Sequence, residues 1–75
     1  MNPEHFKLLD GPADDLTKWH RKHSPMQLDL KGADLSGRDL KGRDFSRAIL
    51  DGVNFSSSNL DDAVFTEARM RHADF

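Results

Sequence analysis

The sequence contains no cysteine. That absence excludes disulfide staples and any cysteine-ligated zinc site. No apolar run comes near the length of a membrane helix, and the first residues lack the pattern of a signal peptide. We therefore expect a cytoplasmic protein with no membrane partner. An excess of charge of either sign is missing too: 11 basic and 13 acidic residues leave a net charge of −2. Such a balance favours neither polyanion binding nor strongly acidic mimicry. At 75 residues the chain can form one domain, and a single core of that size is thin. Capping, self-association or attachment to more chain would each offset that.

What the sequence does have is a period of five. Large apolar residues stand at Leu30, Leu35, Leu40, Phe45, Leu50, Phe55, Leu60, Phe65, Met70 and Phe75. Chance would put them all in phase on the order of once in 100,000 sequences of this composition. On an α-helix a step of five turns roughly 500°, so these residues would drift round the helix. On a flat strand an odd step sends successive residues to opposite faces. The pattern works only if the chain bends once per five residues and turns the apolar residue inward each time. The flanks agree: Gly32, Gly37, Gly42 and Gly52 come two residues after a centre, where a bend favours glycine. Asp or Asn precedes seven of the ten centres, and small residues such as Ala33, Ala48, Ala63 and Ala73 stand two before. Repeats this short belong to solenoids, in which each unit is stabilised by its neighbours.

Stretches such as Ala33-Asp34-Leu35-Ser36-Gly37 and Ala73-Asp74-Phe75 resemble the A-(D/N)-(L/F)-x-x unit of the pentapeptide-repeat family. The resemblance covers residues 28–75. It implies an all-β solenoid, a right-handed quadrilateral β-helix with one pentad per side and 20 residues per coil. Ten units would make about two and a half coils. Arg38 and Arg43 depart from the pattern, taking slots that are usually small, and are expected to reach out toward the cap. Ile49, Val64 and Arg69 replace the Asp or Asn.

In such a coil, residue i lies beside i+20. The outward charges then pair as Lys31 with Asp51, Asp51 with Arg71, Lys41 with Asp61, and Arg47 with Glu67. All four pairs are opposite in sign, which is mildly stabilising across a ladder. The same register puts phenylalanines on two opposite sides, Phe45 over Phe65 and Phe55 over Phe75.

Residues 1–27 do not repeat and are read as an N-terminal helical cap. Asn2-Pro3 opens a short helix through about Leu9. A second helix is expected from Pro12 to about His23, with Asp14 and Asp15 in its first turn and basic residues in its last. Phe6 with Leu9, and Leu16 with Trp19, share helix faces and form the expected cap packing. An uncovered coil end would expose apolar side chains and unpaired backbone groups.

Candidate chemistry is sparse. His20 and His23 have metal-sharing spacing on one helix, but no third ligand is close and no Cys exists. The basic run from Lys18 to His23 is offset by acidic neighbours, since residues 1–27 hold four basic and four acidic residues. Nucleic acid is therefore not expected as a partner. No nucleophile motif appears, and a coil filled by its own side chains leaves no pocket. We expect no enzyme activity, cofactor, metal or small-molecule substrate. The expected function is a non-catalytic structural or protein-interaction module. Self-association is expected through Met70, Arg71, His72 and Phe75 at the open end, with another copy or a larger parent chain as partner. The alternative implied by the resemblance is a DNA-mimicking inhibitor or protector of a type II topoisomerase, DNA gyrase. The repeat region, with seven basic and nine acidic residues, is only weakly acidic for that role.

Overall fold

The computed structural model describes all 75 residues. Residues 28–75 form a β-helical solenoid in which six isolated parallel bridges each join a residue to the one 20 positions later: Asp29 to Ile49, Asp34 to Asn54, Asp39 to Asn59, Asp44 to Val64, Ile49 to Arg69, and Asn54 to Asp74. Every side of the coil is thus a single bridging residue between bends. No multi-residue strand or sheet forms. The physical reason is the period itself. A bend every five residues leaves no room for a second consecutive bridging pair.

Each bend is held from two directions. Asp29, Asp34, Asp39, Asp44, Asn54 and Asn59 accept the N–H two residues on through Oδ1, at 2.9–3.1 Å. These are Asx turns, and they account for the Asp or Asn that precedes most of the centres. The second residue after the centre then takes a left-handed conformation. Glycine occupies it at Gly32, Gly37, Gly42 and Gly52, with φ between 67° and 74°. At the other corners Arg47, Ser57, Asp62, Glu67 and His72 hold the same conformation with φ of 57–60°. Glycine is therefore favoured at this corner and not required.

The centres point inward. Leu30, Leu35, Leu40, Phe45 and Leu50 are fully buried. Phe45 stacks on Phe65 at 5.4 Å, and Phe55 on Phe75 at 5.2 Å, with interplanar angles of 12° and 14°. Rings on opposite sides meet edge to face, as Phe45 and Phe55 do at 6.1 Å. Both geometries suit the ring quadrupole. Burial fades along the rod. Leu60, Phe65 and Met70 are half-buried, and Phe75 is 62% exposed.

Residues 1–27 form α1 (Pro3–Lys7), a 3₁₀ turn (Leu8–Asp10) and α2 (Ala13–His23). Asn2 caps α1 by accepting the Glu4 N–H at 2.9 Å, with Pro3 in the first helical position. The last turn before Gly11 tightens to 3₁₀, so α1 is shorter than its sequence suggested. Pro12 serves as the N-cap of α2 and is not its first residue. The Ser24–Pro25 peptide is cis. No helix is long and apolar enough to cross a membrane.

Candidate interaction site: the two ends of the coil

The cap meets the first coil's backbone through three hydrogen bonds at two bridge residues, Asp29 and Asp44. The Asn2 N–H donates to the Asp29 carbonyl at 3.2 Å. The Asp29 N–H donates to His5 Nδ1 at 2.8 Å. His20 Nε2 lies 2.7 Å from the Asp44 carbonyl. Asp29 and Asp44 therefore find in the cap the partners that a preceding coil would supply elsewhere in the rod. Leu9 and Leu16 cover the apolar centres beneath, with Phe6, Leu8 and Trp19 packed against them.

His5 was not singled out by its sequence. It sits four residues before Leu9, and that helical spacing was the available signal. It is 7% exposed and packs edge-on against Trp19 at 4.8 Å. Trp19 also touches His20 at 5.2 Å and stacks on His23 at 5.3 Å. Burial pushes the His5 pKa below 6.5, and the positive potential of His23 adds to that; Asp29 and Glu4 pull the other way. The bond from Asp29 requires an unprotonated Nδ1, so the geometry and the shift agree.

The two arginines that break the repeat both turn toward the cap. Arg38 pairs with Asp10 at 3.1 Å and lies 4.8 Å over the Phe6 ring. Arg43 does not escape the interior as expected. It is 7% exposed, and Nη2 donates to the Leu9 carbonyl at 3.4 Å. Its Nε and Nη1 have no partner. A Leu or Met there would avoid the cost of a buried, half-satisfied guanidinium.

The expected charge ladder is corrected. Lys31, Asp51 and Arg71 do line one surface groove, with His72 beside them, but Lys31–Asp51, Asp51–Arg71, Lys41–Asp61 and Arg47–Glu67 form no ion pairs. Asp51 instead pairs with Arg69 at 2.8 Å and accepts the Arg71 backbone N–H at 3.2 Å. Coulomb gain to the exposed ends of Lys31 and Arg71 is too small to order those long side chains, so the nearer guanidinium and the backbone prevail at Asp51.

Asp44 is held by its bend. Burial pushes its carboxyl up, but the Ser46 hydroxyl at 2.5 Å and N–H, with His20 and Arg47, bring it below 3.8 overall. His20 and His23 do not converge on a third ligand, and no cluster of three metal-ligating side chains forms. A cleft of about 350 Å³ opens between the cap helices, with Glu4, His5, Trp19 and His23 in its walls.

At the far end the coil is uncovered. Met70 is half-buried, Arg71 and His72 are exposed, and the Phe75 ring presents its outer face.

A family model for pentapeptide repeats matches residues 29–66 and 44–75, with eight copies, so that more than half of the chain is covered. The chain belongs to the pentapeptide-repeat family. Its members are in general non-enzymatic structural or interaction modules. No curated protein and no solved structure matches the chain significantly.

Proposed function

We propose that this chain is a non-catalytic interaction module that docks protein through the open end of its coil. In this reading the solenoid is a right-handed quadrilateral β-helix of about two and a half coils, a short rigid rod working in the cytoplasm. The observation that carries it is the contrast between equivalent slots: Leu30 and Leu35 are fully buried beneath the cap, whereas Phe75 is 62% exposed. An exposed aromatic platform next to unpaired backbone groups is a surface that gains from being covered. The partner is a second copy of the chain or repeats belonging to a larger parent.

The test is solution mass as a function of concentration. Association that raises the mass above 8.5 kDa and is lost in Phe75→Asp and Met70→Asp supports the proposal. A wild-type chain that stays monomeric at high concentration, and captures no repeat protein, removes it. The topoisomerase reading is the less favoured one, because Lys31, Arg71 and other basic residues interrupt any phosphate-like acidic surface. Inhibition of gyrase supercoiling by the purified chain would reinstate it.

A further inference from the structure

The backbone of the coil is polar along its axis. In each unit the N–H of the apolar centre points toward the trailing, open end, as does the N–H two residues later. Leu30 and Gly32 donate in this way to Ile49 and Asp51, and Phe45 and Arg47 to Val64 and Thr66. Only one carbonyl per unit points that way, two residues before the centre: Leu28, Ala33 and Ala48 accept from Ile49, Asn54 and Arg69. The leading direction is the reverse, with two carbonyls and one N–H per unit. At the open end the N–H groups of Phe65, Glu67, Met70 and His72 donate to nothing in the chain. The trailing face thus carries two donors for each acceptor, and the leading face under the cap carries two acceptors for each donor.

This asymmetry decides between modes of association. Two trailing faces set against each other leave at least half of their N–H groups without an acceptor, and such groups are costly when buried. A trailing face set against a leading face can pair every group, as successive coils already do inside the rod. The only leading face on this chain lies beneath residues 1–27.

We infer that the occupant of the open end is the leading face of a second copy, taken head to tail, and that the cap is a plug competing for that face. The inference rests on the docking role proposed above. Of the first coil's leading-face groups the cap meets the Asp29 N–H, the Asp29 carbonyl and the Asp44 carbonyl, and Gln27 reaches the Arg47 carbonyl besides, so it satisfies fewer groups than a coil would. It holds the face because it is tethered and acts at high effective concentration. Self-association is therefore linked to cap release, and it is open-ended, since each addition leaves one trailing face free.

The experiment uses the full chain. His5→Lys replaces the acceptor for the Asp29 N–H with a cation and loosens the cap; Trp19→Ala loosens it from α2, and serves if His5→Lys fails to fold by circular dichroism. Sedimentation measures mass against concentration, and Trp19 fluorescence reports cap seating in the wild type and His5→Lys. The expected result is at least tenfold tighter association in a loosened variant, with mass that keeps growing with concentration. Adding Phe75→Asp abolishes it. Wild-type fluorescence shifts as association proceeds. Wild-type association of unchanged strength in both loosened variants, stopping at a dimer, overturns the head-to-tail inference and leaves the docking role standing. Monomers throughout overturn both.

Discussion

At the leading end, Leu30, Leu35 and Leu40 are fully buried under two short helices; at the trailing end, Phe75 occupies the same slot of its unit and is mostly exposed. The two ends share one repeat and one backbone geometry. They differ because residues 1–27 place His5, His20 and Asn2 against the first coil's bridge groups, and no residue among these 75 does so for the last. A repeat therefore does not set its own burial. Its neighbour does, which is the defining property of a solenoid.

The sharpest way to break this comparison is to make the same change at both ends. Phe45→Ala should cost about 3–5 kcal/mol, because it empties a fully buried site. Phe75→Ala should cost about 1 kcal/mol or less, since most of the ring already meets solvent. Equal losses of melting temperature in the two variants would show that the open end is covered in solution.

The second test acts on the cap alone. His5 has a pKa lowered in the folded state, chiefly by burial, so the unfolded chain binds its proton more readily. The stabilisation is fully present above the ordinary value of 6.5 and is lost as pH falls through the lowered folded value. Trp19 fluorescence should report cap loosening in that window. The Asp44 bend, with a carboxyl held below 3.8, should fail only in stronger acid. Trp19→Ala should destabilise the fold by about 2 kcal/mol, as a half-buried aromatic does. Cap and coil signals that change together at every pH would contradict the separation.

Smaller effects distinguish the corners of the first coil from those of the last. Gly42→Ala places a Cβ at φ 70° and should cost about 1 kcal/mol. Glu67→Gly relieves the same conformation at φ 57° and should stabilise by roughly 0.5 kcal/mol. Chemical denaturation of the two variants checks the opposite signs. The smallest effect belongs to Asp51→Ala. It removes the Arg69 pair and should shift stability by about 0.5 kcal/mol, less at high salt.

Much of the coil was legible in its residues. The ten in-phase centres and the Asp or Asn before them specify a bend every five residues, and the i+20 bridges follow that spacing. Arg38 and Arg43 were both legible as residues turning to the cap; the burial of Arg43 was not, because its slot does not reveal whether Leu9 closes over it. The charge ladder read well by sign and failed in geometry. Opposite charges on neighbouring coils are a sequence fact, but Arg69 reaches Asp51 from a bridge position that no ladder count includes. His5 carried only the faint signal of its spacing from Leu9.

By itself, the sequence determined the bend, the inward column of apolar centres and the presence of a non-repeating helical segment, because each is local and periodic. Only the tertiary structure decided which centres lose their water, which histidine accepts the Asp29 N–H, and that one end of the rod is rich in donors. Those properties depend on what lies beside a group in space, across 20 or more residues of chain, and a five-residue period carries no record of the rod's ends.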